Sequence, residues 1–149
     1  MLYILLPVHN RKETTKLFLD CLKKQTFQNF QIILIDDGST DETDILVLSY
    51  YPNTKILYGD GNLWWAGSLQ KAFDYLLTIS TSNQDSILII NDDTFFDKNY
   101  LNHGVSLLNK LNKSLLKSWV EDMHTNKIGD GYIYANMKKF TFSEKLYVE

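Results

Sequence analysis

Four short apolar runs within the first ninety residues constrain this chain more than any other feature. They are Leu2–Leu6, Phe30–Ile35, Lys55–Tyr58 and Ser86–Ile90. Ile32-Ile33-Leu34-Ile35 and Ile87-Leu88-Ile89-Ile90 are unbroken rather than alternating. A strand reads this way when both faces of its sheet are covered. Between the runs lie stripes with helical spacing. Thr14, Leu17, Phe18, Cys21, Leu22 and Gln25 form one; Trp65, Leu69, Ala72, Phe73, Leu76 and Leu77 form another; Leu101, Val105, Leu108 and Leu111 form a third. A shorter helix is expected to start at Ser39-Thr40-Asp41-Glu42, where Ser39 and Glu42 have capping-box spacing, and to end at Tyr51-Pro52-Asn53.

The order is therefore β-α-β-α-β-α-β-α. Strands alternating with helices pair in parallel through right-handed crossovers. The expected fold is α/β, an open, mainly parallel sheet with helices on both faces. Beyond Leu116 the pattern weakens. Gly129-Asp130-Gly131 reads as a turn, and Tyr132–Ala135 and Phe140–Phe142 as strand material. At 149 residues the chain is expected to form one domain over residues 1–149 and to need no disulfide or metal staple.

Each apolar run ends in a polar cluster. The clusters are Pro7-Val8-His9-Asn10, Asp36-Asp37-Gly38-Ser39, Gly59-Asp60-Gly61-Asn62 and Asn91-Asp92-Asp93-Thr94. A parallel sheet brings all four to the carboxyl ends of its strands, the edge where open α/β sheets bind ligands. Asp36, Asp37, Asp60, Asp92 and Asp93 would then share that edge and repel one another. A hard divalent cation, Mg²⁺ or Mn²⁺, would relieve the repulsion through oxygen ligands and leave positions for a diphosphate. Each cluster also has a plain reading, as a turn, a helix cap or a loop. His9, His103 and His124 lack metal-ligand spacing, which argues against zinc. Gly59, Gly61 and Trp64 fall short of a dinucleotide fingerprint, because Trp stands where a third small residue is needed.

Composition narrows the partners. Fifteen basic and eighteen acidic side chains give a formal charge of −3, so a general nucleic-acid interface is not expected. The single cysteine, Cys21, reads as a buried thiol in a reducing compartment. No apolar run approaches the length of a membrane span. The expected location is the cytoplasm, with attachment at the inner face of the membrane left open.

Three of the clusters, Pro7-Val8-His9-Asn10, Asp36-Asp37-Gly38-Ser39-Thr40-Asp41 and Asn91-Asp92-Asp93-Thr94, resemble motifs of the family 2 glycosyltransferases of the GT-A fold. Gly59-Asp60-Gly61-Asn62-Leu63-Trp64-Trp65-Ala66-Gly67-Ser68 is similar to a rhamnosyltransferase-like bacterial subgroup. The resemblance runs from Leu2 to about Leu111 and implies a Rossmann-like nucleotide-binding half. By this resemblance Pro7, Val8, His9 and Asn10 line the base and ribose, and Asp36 or Asp37 bonds the base. Asp60 and Asn62 lie near the ribose or sugar. Asn91-Asp92-Asp93 takes the place of an Asp-x-Asp motif, with Asp92 in the nucleotide-sugar set and Asp93 and Asn91 at the metal. The implied donor is a UDP- or dTDP-sugar, the cofactor Mg²⁺ or Mn²⁺, and the acceptor a hydroxyl on a saccharide or lipid-linked saccharide. The implied stereochemistry is inversion.

The chain departs from that family in length. Family members continue into a half that carries the acceptor site and a carboxylate base. Glu121-Asp122 comes only 28 residues after Asp93 and is not taken as that base, so no catalytic residue is assigned. The chain is expected to be a fragment, a shortened form, or a part completed by a second copy or another chain. Two rival readings stand beside transfer. One is a non-catalytic nucleotide-sugar-binding module. The other is a degenerate interaction protein; Trp64, Trp65 and Trp119 read as core or ligand wall, but an exposed pair of them would mark an interface. A nucleotidyltransferase is weaker, because Pro7-Val8-His9-Asn10-Arg11 lacks the glycines of such a loop.

Overall fold

A computed structural model describes residues 1–79, 82, 84–111, 114–118, 121, 132–136 and 141–145. The expectations placed on Trp119, Asp122 and Gly129-Asp130-Gly131 lie outside the described residues. The chain divides into two compact units, Met1–Asn112 and Lys113–Glu149.

The first unit alternates strands and helices as expected. β1 (Leu2–Val8), α1 (Lys12–Lys23), β2 (Phe30–Asp36), α2 (Thr43–Tyr50), β3 (Lys55–Tyr58), α3 (Trp64–Thr78), β4 (Ser86–Ile89) and α4 (Tyr100–Lys110) follow in order. The strands form one sheet in the order β3-β2-β1-β4. All three pairings are parallel, with Leu2 opposite Phe30 on one side and Ser86 on the other. Strand order reverses at β1, because the crossover through α3 carries the chain back past β1 and β2. A right-handed crossover in the reverse direction lands on the opposite face.

The packing follows that rule. Leu2, Ile4, Leu6 and Val8 face Phe18, Leu19 and Leu22 of α1, Val47 of α2 and Leu101 of α4. Tyr3, Leu5, Ile33 and Ile35 face Ala72 and Leu76 of α3. Ile32 to Ile35 are all buried, so β2 reads as an unbroken apolar run because it is covered on both sides.

The same reading fails for β4. Ile87 and Ile89 are 42% and 47% exposed, because α3 lies over β1 and β2 and not over this strand. The expected α3 stripe is also turned. Ser68, Ala72 and Leu76 are its buried residues, while Trp65, Phe73 and Leu77 are exposed. In α1 Thr15 and Leu19 are buried, whereas Leu17 is exposed.

The Ser39–Glu42 capping box does not form. α2 starts at Thr43, and Asp41 caps it by accepting from the Thr43 N–H at 3.2 Å and the Thr43 hydroxyl at 2.6 Å. Ser39 is drawn away, its Oγ accepting the Asn10 N–H at 2.9 Å. Glu42 pairs instead with Lys12 at 2.9 Å. Partial desolvation pushes the Asp41 carboxyl up, but hydrogen bonds from Thr43 and the Lys12 N–H outweigh it and hold the group below its ordinary value.

In the second unit, β5 (Tyr132–Asn136) and β6 (Thr141–Lys145) pair antiparallel, with Tyr132 opposite Lys145 and Asn136 opposite Thr141.

Candidate functional site

The reversal of strand order opens a crevice at the carboxyl ends of β1 and β4, the place where an open α/β sheet offers a ligand its own loops as walls. A cleft lies there. Pro7, Val8, His9 and Arg11 line it from the β1 side, Asn91, Asp92 and Asp93 from the β4 side, and Asp37, Trp64, Trp65 and Ser68 across the sheet. Its volume is about 210 Å³. Pockets that enclose a small ligand commonly have roughly 300–1,000 Å³. The cleft therefore has room for part of a large ligand.

Asp37 organises one wall. Its side chain is buried, yet none of its burial is uncompensated. Oδ1 accepts the Gly61 N–H at 2.8 Å, and Oδ2 accepts the Leu63 and Trp64 N–H groups, each at 3.0 Å. A carboxylate from the loop after β2 thus caps the first turn of α3, where N–H groups lack helical partners and the helix dipole favours a negative charge. Asp36 is buried too and accepts the Ser39 N–H at 2.8 Å, closing its own turn. These acids close a turn and cap a helix, but the capped helix is α3 and not α2.

The glycines make this close approach feasible. A Cβ on Gly59 would collide with Asp37 Oδ1 and stand 2.6 Å from Leu63 Cδ1. Gly38, at φ +72°, would put a Cβ 2.9 Å from the Gly61 nitrogen. Trp64 has φ +54° without being glycine. A bulky side chain in the left-handed region is strained, and it persists here because Asp37 fixes its N–H. The Trp64 side chain is 80% exposed at the rim. Trp65 is held differently, its indole Nε1–H donating to Asn91 Oδ1 at 3.1 Å.

The opposite wall is built on side-chain charge. Asp92 is buried, taking the Thr15 hydroxyl on Oδ2 at 2.8 Å and the Arg11 Nε–H on Oδ1 at 2.8 Å. Arg11 continues to Asp93 through Nη2, at 3.0 Å from Oδ2. Partial burial opposes the Arg11 charge, but the two acids outweigh it and raise the guanidinium above its ordinary value. The expected repulsion among acids is relieved in this structure by Arg11 and by backbone N–H groups. Among the described residues, no group of three His, Cys, Asp or Glu stands close enough to hold a metal by itself.

His9 Nδ1 lies within hydrogen-bond distance of the Asp37 carbonyl oxygen. A carbonyl only accepts, so Nδ1 carries the hydrogen, and Nε2 faces the Asn10 amide at 3.3 Å. Asn10 ties the first loop to the second, its Oδ1 accepting the Thr40 N–H at 2.8 Å.

The sequence-predicted residues thus divide. Pro7, Val8, His9, Asp37, Asn91, Asp92 and Asp93 come together on the cleft. Asn10, Asp36, Asp60 and Asn62 are not among its lining residues. Asp60 and Asn62 are exposed, with Asp60 Oδ1 accepting the Asn62 N–H at 3.0 Å in a local turn. Sequence reasoning missed Arg11 and Ser68 as lining residues. A signal for Arg11 was present, since it follows the first cluster directly and is the nearest base to the acids.

Residues 3–147 match the profile of glycosyl transferase family 2. The chain belongs to that family. It is 30% identical over 118 residues to an uncharacterized glycosyltransferase of Rickettsia prowazekii, covering 76% of this chain and 34% of the relative. It is 24% identical over 144 residues to the Escherichia coli UDP-Glc:alpha-D-GlcNAc-diphosphoundecaprenol beta-1,3-glucosyltransferase WfgD, covering 96% of this chain and 54% of WfgD. Its fold is that of GT-A glycosyltransferases. It superposes on Staphylococcus aureus TarS 1-349 in complex with UDP-GlcNAc with a TM-score of 0.59 at 19% identity, over 78% of this chain and 37% of TarS. This glycosyl transferase family 2 chain spans about a third of the length of the first Rickettsia relatives it matches, 34% for two of them. No helix among the described residues is long and apolar enough to cross a membrane.

Proposed function

We propose that this chain is the donor-binding part of a glycosyltransferase that moves a sugar from a UDP- or dTDP-sugar to an acceptor hydroxyl, with inversion. The observation that carries this reading is the cleft at the β1/β4 switch point, where Arg11, Asp92 and Asp93 meet a wall fixed by Asp37. The names of the relatives support it, since WfgD is a UDP-glucose-dependent enzyme with a lipid-diphosphate acceptor and TarS has been captured with UDP-GlcNAc.

Pro7, Val8 and His9 would receive the base and ribose. Asp37 spends three of its roughly four lone-pair positions on N–H groups and keeps one for the base. The contact of His9 Nδ1 with the Asp37 carbonyl would hold the ring against the cleft wall for that purpose. Asp93 and Asn91 would hold Mg²⁺ or Mn²⁺. The donor set fits such an ion as a partial shell, which water would complete on its own and substrate phosphates when a donor is bound. Asp93 offers one exposed carboxylate and Asn91 one amide oxygen, and hard cations of this kind are commonly bound by one or two carboxylates together with substrate phosphates. When bound, the ion would neutralise charge on the departing diphosphate.

The base that takes the acceptor proton comes from outside this cleft. Asp37 and Asp92 are engaged in holding the walls, and Asp93 is the metal candidate. A second copy, a partner chain or a further segment is the proposed source, and the same element would position a saccharide or lipid-linked acceptor at the membrane surface. A missing base removes about 10²–10⁴-fold of rate.

The test is calorimetric titration of the chain with UDP, dTDP and GDP, each with and without Mn²⁺. Metal-enhanced binding of UDP or dTDP is expected. No binding by any of the three, from a chain shown to be folded, sinks the reading in favour of an interaction protein. Binding without transfer to any acceptor, even after supplying the remainder of a relative, favours a non-catalytic donor-binding module.

A further inference from the structure

Among the described residues that line the cleft, Arg11 is the one permanently cationic side chain, and it is already occupied. Its two contacts are unequal. Nε donates to Asp92, whose carboxylate is 3% exposed and anchored on its other oxygen by the Thr15 hydroxyl. Nη2 donates to Asp93, whose side chain is 56% exposed and has no comparable anchor. The first contact is therefore fixed in place. The second is an exposed ion pair, a class that is weak because water screens it. A guanidinium carries five N–H donors in one plane, and these contacts use two of them.

We propose that Arg11 is an exchangeable counter-ion and a diphosphate-binding residue. Without ligand it neutralises Asp93. When a nucleoside diphosphate enters with a divalent cation, Asp93 passes to the cation and the freed Nη edge turns onto a diphosphate oxygen, while Nε stays on Asp92. Every charge keeps an opposite partner through the exchange, so no bare charge is left in the cleft. Arginine suits this work because its planar fork can hold a carboxylate and a phosphate at once, which a lysine ammonium cannot do with the same geometry. The proposal rests on the nucleotide-sugar reading above, but its first half stands on the ion pairs alone.

Calorimetry on the whole chain separates the two halves. Parent, Arg11→Gln and Arg11→Lys are titrated with MnCl₂ alone, and separately with UDP at saturating Mn²⁺. Arg11→Gln is expected to bind Mn²⁺ alone several-fold more tightly, since the competitor for Asp93 is gone. At saturating Mn²⁺, where Asp93 has passed to the cation, it is expected to bind UDP about tenfold more weakly, the loss of one charge-assisted hydrogen bond. Arg11→Lys should lie between on both axes, and it carries the same two arms if thermal melting shows that Arg11→Gln does not fold. Unchanged or weaker Mn²⁺ binding in both variants overturns the counter-ion role. Unchanged UDP binding at saturating Mn²⁺ overturns the diphosphate contact. A parent chain that binds no nucleotide at all overturns the functional reading and the second half together, while the Mn²⁺ arm still judges the first.

Discussion

The loops after β2 and β4 flank the same central strand, and each carries two consecutive acids, yet they neutralise charge by opposite means. Asp36 and Asp37 are both buried and are satisfied by backbone N–H groups of Ser39, Gly61, Leu63 and Trp64. Asp92 and Asp93 are satisfied by side chains, Thr15 and Arg11, and only Asp92 is buried. Backbone donors cannot leave without unfolding the loop that supplies them. A side-chain donor can rotate away. One half of the cleft is therefore a fixed frame and the other carries a charge that can change partners.

The strongest challenge to this comparison is Asp37→Ala. It leaves three N–H groups without their acceptor and uncaps α3, and about 3 kcal/mol or more of stability should be lost. A chemical denaturation midpoint within about 0.5 kcal/mol of the parent would show that water replaces the carboxylate freely and that the frame is not fixed. Gly59→Ala attacks the same frame from the other side. Its Cβ would collide with Asp37 Oδ1 and meet Leu63 Cδ1 at 2.6 Å, and overpacking of this kind costs roughly 1–3 kcal/mol. Urea melts would show it, and UDP affinity should fall with it.

Asp41→Asn tests a lesser fixed carboxylate. The folded state holds Asp41 below its ordinary value, so its contribution is complete above the unfolded pKa and is lost as pH falls through the folded one. The difference in melting temperature between parent and variant should be constant above about pH 5 and shrink below it. A difference that grows on acidification would reverse the assignment.

On the β4 side, Asp93→Ala should leave stability within about 0.5 kcal/mol of the parent, because the residue is exposed. Metal-dependent UDP binding should nevertheless vanish. UDP binding in Mn²⁺ as tight as the parent's would remove Asp93 from the metal role. The smallest expected effect is Trp64→Gly. Relief of a left-handed Trp offsets the entropy that glycine adds to the unfolded chain, so the melting temperature should move little in either direction.

Much of the frame was legible in the chain itself. Unbroken Ile32–Ile35 announced a strand covered on both sides, and the order of runs and stripes announced parallel pairing. The four clusters fell at one sheet edge as expected. What could not be read was which partners neutralise the acids. Asp37 reaches three N–H groups more than twenty residues away, and Arg11 reaches acids 81 and 82 residues on, so no local pattern records either contact. The capping box at Ser39 failed for the same reason, since Asn10 on a distant loop claimed the hydroxyl. Ile87-Leu88-Ile89-Ile90 misled because an apolar run shows that a strand can be covered but not where a helix will lie. Periodicity also could not rank Trp65, Phe73 and Leu77 against Ser68, and the latter is the buried one.

The place of β1 in the sheet has a consequence for how the molecule is made. Of the four strands of this sheet it leaves the ribosome first, pairs with β2 about thirty residues later, and waits for Ser86 before its other edge is matched. Synthesis proceeds at roughly 5–20 residues per second, so that edge stays open for several seconds. The β2 and β3 side can condense during that interval, whereas the crevice between β1 and β4 is assembled last. Nascent chains that have emerged through Leu57 but not yet as far as Ser86 should protect the amides of β1 and β2 from exchange and yet hold no nucleotide. Ligand capture would then report the final pairing event, and a nucleotide supplied during synthesis would favour the one strand register in which Arg11 meets Asp92.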